Sequence, residues 1–434
     1  MRKPATQAVE EQTAKTGCIQ EYEGTYRSAE VAKQARSVRI LFLTDSFSPH
    51  AGGSREYYYN LYRELVASDT SRVVILTKKV PGWHTFDAQH SSPSFRIHRR
   101  LKPLKSWKYM ELPKGIFPFF QTAWQILRDR PDMIHAGDLY PQGLIAWIMS
   151  RLSGIPYVIF AHGEEITQTD CYRYQPRIRD RIYKGAAAVI ANSEFTKKHL
   201  LRIGVREQDI EKLTPGVDAL RFRPEPPDKR LMTRYNLEGK IVILTVGRLV
   251  PRKGHRAALQ AFASVCGEFP TAHYLIAGVG PERDKLERLS RELEIQDRVT
   301  FTGLIEAENL PDIYNLCDLM LLANRHEQGG DVEGFGMVFL EANAARKPVI
   351  GGRSGGAIEA VADGVSGLLV DANDPEDVAA ALRKLLKNRE LRQRMGAAGR
   401  NRVESEFDWK ERARKLHEVN CRVLKEARIE RSEN

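Results

Sequence analysis

Apolar residues along this chain fall in short, dense runs rather than in long alternating or heptad patterns. The first run is Val38-Arg39-Ile40-Leu41-Phe42-Leu43-Thr44, and it leads into a Gly-containing loop. Similar β-branched runs include 73–77, 133–135, 157–160 and 188–191, with helical stretches between them. Strands apolar on both faces, alternating with helices, predict βαβ units around a buried parallel sheet. The texture changes at Thr214-Pro215-Gly216-Val217-Asp218. A Pro-rich polar segment at 223–228 follows, suited neither to a helix interior nor to a sheet. The alternation then restarts, and 241–246, 274–277, 299–301, 319–322, 348–350 and 368–370 predict a second set of strands. After the last of them Asp374 caps a helix, Pro375 takes its first position, and Glu376 and Asp377 fill its first turn. Val378, Leu382 and Leu385 continue it at helical spacing.

Two such series predict an α/β protein with two Rossmann-like, doubly wound parallel-sheet domains facing across a cleft. The expected limits are a disordered polar tail over 1–36, a first domain over 37–214, a second over 219–408 and a C-terminal helix over 409–434. A length of 434 residues suits two or three domains of ~150 residues each. Ligands of such sheets bind beyond the carboxyl ends of the strands, so the loops that follow strands are where chemistry is sought.

Composition narrows the class. A chain 42% hydrophobic and 28% charged is that of a soluble globular protein. No apolar run approaches the ~20 residues of a spanning helix, and the first 36 residues lack the apolar core of a secretion signal. Five cysteines (Cys18, Cys171, Cys266, Cys317 and Cys421) form no C-x-x-C pair, which argues against a zinc site or disulfide framework and fits a reducing cytosol. The net charge of +11 favours anionic partners without choosing among nucleic acid, acidic headgroups and phosphorylated small molecules. Nucleic acid is disfavoured, because the basic residues are spread along the chain with no recognisable binding module.

Four loops carry candidate chemistry. Gly329-Gly330-Asp331-Val332-Glu333-Gly334-Phe335-Gly336 runs directly into the apolar helical pattern Met337-Val338-Phe339-Leu340-Glu341-Ala342. Free backbone N–H groups and the positive end of a helix dipole meet there and make a seat for anions. Glu333 on the loop and Glu341 within the helix can reach opposite ends of one extended ligand, and vicinal hydroxyls are natural bidentate partners for a carboxylate. Gly247-Arg248-Leu249-Val250-Pro251-Arg252-Lys253-Gly254 puts three cations at a strand's end, a clamp suited to a diphosphate. Taken alone it also reads as a basic surface loop. The pair Gly52-Gly53 permits close backbone approach. His162-Gly163-Glu164-Glu165 follows the strand at 157–160, and its polar groups fit catalysis or capping equally.

Absences matter too. Gly278-Val279-Gly280-Pro281-Glu282-Arg283 begins like a dinucleotide fingerprint but ends in Arg. There is no Walker-type GxxxxGK[ST] loop and no D-x-D triplet to hold a divalent metal. A diphosphate would therefore be neutralised by Arg, Lys and backbone N–H groups.

These residues resemble the retaining glycosyltransferases of family 4, which have the GT-B fold, over nearly the whole chain. The E-x7-E pattern from Glu333 to Glu341 carries most of the resemblance. Gly247-Arg248 to Lys253, Gly52-Gly53, His162-Gly163, Asn192-Ser193 and Pro215-Gly216-Val217-Asp218 support it. The resemblance implies a reaction centre of His162, Glu333, Arg248 and Lys253. Arg248 and Lys253 would hold the donor diphosphate, joined by the Gly53 N–H. Glu333 and the backbone of Phe335, Gly336, Met337 and Val338 would take the transferred sugar, and Glu341 the ribose. Gly52 and Gly303 complete the implied nucleotide-sugar set. The last helix, with Phe407, Trp409 and Leu416, would cross back onto the first domain. No metal and no other cofactor is implied; the nucleotide-sugar is a co-substrate.

Within the family, Gly330-Asp331-Val332-Glu333-Gly334 and Ser354-Gly355-Gly356 look most like the phosphatidylinositol mannosyltransferase branch, whose donor is GDP-mannose. Branches using UDP-glucose or UDP-N-acetylglucosamine share most of these letters. A non-catalytic sugar-binding relative would be expected to have lost Glu333, Arg248 or Lys253. The expected acceptor is a glycan or lipid-linked hydroxyl of the cell envelope, met in the cytoplasm or peripherally at the inner face of the plasma membrane. Lys and aromatic residues interleave over Leu101–Met110, followed by Ile116-Phe117-Pro118-Phe119-Phe120. The stretch reads either as a contact with an anionic membrane or as core between strands.

Overall fold

The computed structural model describes residues 37–49, 52–101, 112–167, 176–327 and 329–433. The tail expected over 1–36 lies outside the described residues, as do His50 and Ala51 and most of the Lys-aromatic stretch before 112.

Thirteen strands form two parallel sheets among the described residues. The first holds β1 (Val38–Leu43), β2 (Ser71–Lys78), β3 (Phe95–Leu101), β4 (Met133–Ala136), β5 (Tyr157–Ala161), β6 (Ala188–Ala191) and β7 (Ile210–Lys212), in the order β3-β2-β1-β4-β5-β6-β7. The second holds β8 (Ile241–Val246), β9 (Ala272–Ala277), β10 (Val299–Gly303), β11 (Leu319–Leu322), β12 (Val349–Gly352) and β13 (Gly367–Val370), in the order β10-β9-β8-β11-β12-β13. Each order reverses beside its first strand, so each sheet has a switch point where loops diverge and a ligand can enter.

Period-2 alternation explains why both sheets sit in the interior. Along β1, Ile40 and Phe42 enter one core while Leu41 and Leu43 enter the core on the opposite face. Along β8, Ile243 faces one layer and Val242 and Leu244 the other. Continuous apolar runs are what a strand covered on both sides requires. β3 and β7 lie at the edges of the first sheet and lack such a run.

Five helices bear on the site and its surroundings. These are α1 (Gly53–Ala67), α2 (Leu112–Asp129), α3 (Met337–Ala344), α4 (Pro375–Lys387) and α5 (Trp409–Glu433). α4 begins as its sequence predicts: the Asp374 carboxylate accepts the Glu376 N–H at 2.9 Å, and Val378, Leu382 and Leu385 are fully buried. α5 packs on α1 of the first domain, where Trp409 lies 5.6 Å from the Tyr57 ring and Leu416 and Val419 join the same core. Phe407 departs from expectation. It precedes α5 and belongs to the second domain's core, 6.1 Å from the Phe335 ring. The aromatic stretch in α2 divides as well: Phe119 packs on the first domain's core, while Phe117 and Phe120 face outward.

Candidate active site

The two sheets face each other across a cleft of about 520 Å³ lined from both domains. The N-termini of α1 and α3 open into it from opposite sides, through Gly52-Gly53-Ser54 and Gly336-Met337-Val338. Two sets of unpaired helix-terminal N–H groups thus give the cleft positive potential without side chains.

The centre is a buried charge cluster. Glu333 Oε2 accepts hydrogen bonds from Arg252 Nη1 at 2.7 Å and Lys253 Nζ at 2.5 Å. Arg252 also pairs with Asp331, 3.2 Å away. Burial pushes the Glu333 carboxyl up, but the two cations outweigh it and hold it at about 2. Burial pushes the Lys253 ammonium down, against the pull of Glu333. Glu333 is therefore a permanent carboxylate, and its Oε1 has no protein partner among the described residues. Arg248 lines the same cleft, is exposed, and has neither ion pair nor side-chain hydrogen bond among the described residues.

Glu341, just over one turn into α3, ends up in a different setting. Its Oε2 accepts the Tyr314 hydroxyl at 2.6 Å. Burial raises this carboxyl to about 7, with the Tyr314 bond opposing and the nearby Glu56 carboxylate adding to the rise. Across the cleft from α3, Glu56 in the first turn of α1 lies 3.6 Å from Arg221, which bridges towards the second domain.

The loop bearing Glu333 is held by close backbone approach. A Cβ at Gly334 would lie 2.3 Å from the His162 carbonyl oxygen, and one at Gly356 would lie 2.0 Å from the Gly334 carbonyl oxygen. Only glycine fits either position. The Gly356 N–H also donates to the Glu333 carbonyl at 3.0 Å. On the first domain's wall, the His162 N–H donates to Glu165 Oε1 at 2.6 Å and the His162 carbonyl accepts from Asn192 Nδ2 at 3.2 Å. Glu165 thus caps the loop, and it lines the cleft together with Glu164. Burial lowers the pKa of the His162 ring.

The cleft brings together Gly52, Gly53, His162, Arg248, Lys253, Glu333, Phe335, Gly336, Met337, Val338 and Glu341. Gly303 does not line it. At φ +79° its carbonyl instead accepts the Gly278 N–H at 2.9 Å, and the next residues, Leu304 and Ile305, form the wall. Sequence reasoning missed Asp138, whose Oδ2 accepts the Thr44 hydroxyl at 2.8 Å and the Asp45 N–H at 2.7 Å on the first domain's wall. Its position just beyond β4 was the available signal. It also missed Tyr58, behind His162, for which the helical pattern gives no sign.

Comparison with known proteins agrees with this architecture. A model described as Glycosyltransferase Family 4 matches residues 51–221, and one described as Glycosyl transferases group 1 matches 229–402. The chain is 33% identical over 381 residues to the GDP-mannose-dependent alpha-(1-6)-phosphatidylinositol monomannoside mannosyltransferase of Mycobacterium tuberculosis, covering 87% of this chain and 97% of that one. It is 30% identical to the enzyme of the same description from Mycolicibacterium smegmatis, with 88% and 97% covered. Among solved structures, Anabaena HepE in complex with UDP and glucose superposes with a TM-score of 0.74 at 22% identity, covering 88% of this chain and 99% of that chain. Sucrose-phosphate synthase from Thermosynechococcus elongatus gives 0.75 at 23%, with 89% and 99% covered. The chain belongs to the retaining glycosyltransferases of family 4 and has their GT-B fold. It is a hexosyltransferase, and the Mycobacterium tuberculosis and Mycolicibacterium smegmatis relatives are mannosyltransferases.

Proposed function

We propose that this chain transfers a mannosyl group, with retention and without a metal, from GDP-mannose to a hydroxyl of a glycolipid acceptor. The observation that carries the reading is the buried Glu333 carboxylate held by Lys253 and Arg252 beside Arg248, which has no ion pair among the described residues. A donor diphosphate brings negative charge to cations that Glu333 now neutralises, and Arg248 is free to meet it first. The α1 and α3 termini, including the Gly53 N–H, add donors for the phosphate oxygens. Glu333, with Oε1 unengaged, then grips the sugar hydroxyls beside the phosphate, and Glu341 grips the ribose. The relatives' use of GDP-mannose supports the base and the sugar.

In this reading the C1–O bond to the diphosphate breaks as the acceptor oxygen bonds to C1 from the same face. The acceptor's proton passes to the departing phosphate oxygen. The protein's part is to place the two substrates and to disperse charge on the leaving group. Among the described residues no helix is long and apolar enough to cross a membrane. The proposed setting is the cytoplasm, with peripheral contact at the inner face of the plasma membrane, where a lipid-linked acceptor is reached.

The test is thermal-shift binding with GDP-mannose, UDP-glucose, UDP-N-acetylglucosamine, GDP and UDP. A ligand bound only by the folded state raises the melting temperature by mass action. The expected result is a shift with GDP and GDP-mannose that persists in EDTA. A shift with the UDP compounds alone would refute the donor, and loss of turnover on chelation would refute metal independence.

A further inference from the structure

We propose that Tyr58 fixes the tautomer of His162, so that the site presents a bare Nδ1 lone pair and selects a sugar able to donate a hydroxyl hydrogen to it. The Tyr58 hydroxyl touches two groups, the Gly137 backbone carbonyl and His162 Nε2, the latter at 2.5 Å. A carbonyl oxygen can only accept, so the single Tyr58 hydrogen is spent on Gly137. The contact with His162 must then be donation by Nε2–H to the phenolic oxygen. Burial lowers the ring's pKa against the pull of Asp138 and Glu164, which favours the neutral form. A neutral imidazole carries one hydrogen, so Nδ1 is unprotonated.

Nδ1 has no partner among the described residues and is not sealed from solvent, and the half-buried ring lines the cleft. The Tyr58 ring is itself fully buried, 4.9 Å from Phe42, 5.3 Å from Phe160 and 5.6 Å from Tyr57, which leaves its hydroxyl little freedom. A hydroxyl on the ligand satisfies Nδ1. A methyl in its place leaves the lone pair desolvated and unbonded, and a carboxylate has no hydrogen to give. Tyr58 is thus a positioning residue that sets donor specificity through His162. The inference rests on the reading that the transferred sugar lies beside His162.

The decisive variant is Tyr58→Phe, which keeps the ring packing and removes the relay. In full-length protein labelled with ¹⁵N-histidine, long-range ¹H–¹⁵N correlation spectra report each ring's tautomer, and His162→Gln identifies the signal. The expected result is the Nε2–H form in the native protein and a shift towards Nδ1–H in Tyr58→Phe. An Nδ1–H form in the native protein, or no change in the variant, would overturn the proposal. In parallel, Tyr58→Phe should weaken GDP-mannose binding about 3- to 10-fold and leave GDP binding unchanged. The loss should vanish for the GDP-mannose analogue lacking the one hydroxyl that meets Nδ1. Equal losses for GDP and GDP-mannose would mean a packing role only. If GDP-mannose binds neither protein the proposed donor fails, and the spectra still decide the tautomer.

Discussion

Glu333 and Glu341 share one loop and helix, yet their surroundings drive their acidities in opposite directions. At Glu333 two cations overcome burial and hold the carboxyl at about 2; at Glu341 burial prevails and raises it to about 7. If Glu333 holds the transferred sugar as proposed, Glu333→Gln should lower turnover ~10²-fold or more, since it removes a preorganised charge at that sugar. Initial rates of GDP release from GDP-mannose check this, and near-native rates would remove Glu333 from the site. Glu341 gives a pH signature. On the proposed reading, in which Glu341 holds the ribose, only the ionised carboxylate accepts from both hydroxyls, so GDP affinity should be highest above pH 7 and fall as pH drops through about 7. Because the Tyr314 hydroxyl holds this carboxyl down, Tyr314→Phe should move the midpoint upward, and Glu341→Gln should abolish the dependence; titration calorimetry across pH reads both. The two glutamates are legible in sequence because loop and helix are contiguous. The partners that make them chemically distinct are not: Arg252 reaches Glu333 across 81 positions and Tyr314 reaches Glu341 across 27, and no local pattern encodes such contacts.

The same division between local and distant information holds for elements. Five strands of the second sheet announce themselves because they are buried almost throughout and read as dense apolar runs, whereas half-buried β10 at the edge shows through Val299 and Phe301. β3 (Phe95-Arg96-Ile97-His98-Arg99-Arg100-Leu101) does not, since an edge strand tolerates charge, and three-residue β7 is too short to show a period. The loop into α3 is legible as Gly-rich, but the reason for its glycines appears only when the domains meet. Gly334→Ala would thrust a Cβ to 2.3 Å from the His162 carbonyl oxygen and 3.0 Å from Asn192 Nδ2. The first contact is with backbone and cannot be relieved by a side-chain rotation, so the loop must withdraw from the first domain's wall. The expected cost is about 1–3 kcal/mol in stability, read as a lower melting temperature, with turnover falling further than stability because Glu333 moves with the loop. A variant as stable and active as the native protein would show that the domains do not approach this closely.

At the scale of the whole molecule, the second domain supplies the cations and carboxylates assigned to the donor, while the first presents His162 and Asp138 across the cleft. On the proposed function a lipid-linked acceptor arrives on the first domain's side, and α2 gives that domain an unusual outer face. Phe117, Phe120, Trp124 and Leu127 are 43%, 64%, 45% and 77% exposed. Their spacing places them on one stripe of the helix, while Phe119, Ala123 and Ile126 pack inward. The Arg100 and Arg128 guanidinium groups lie 4.8 and 5.0 Å from the Trp124 ring centroid. Exposed aromatics flanked by arginines suit the boundary between anionic headgroups and acyl chains, and the chain's net charge of +11 adds long-range attraction. The protein should therefore co-sediment with vesicles containing phosphatidylglycerol, bind phosphatidylcholine vesicles less, and release from the anionic ones as salt is raised. Joint substitution Phe120→Glu and Trp124→Glu should reduce vesicle partitioning by ~10-fold or more, because each buried aromatic contributes about 1.5–3 kcal/mol and each new carboxylate is repelled. GDP affinity should stay unchanged, since neither side chain lines the cleft. Undiminished sedimentation of the double variant would place any membrane contact elsewhere on the molecule.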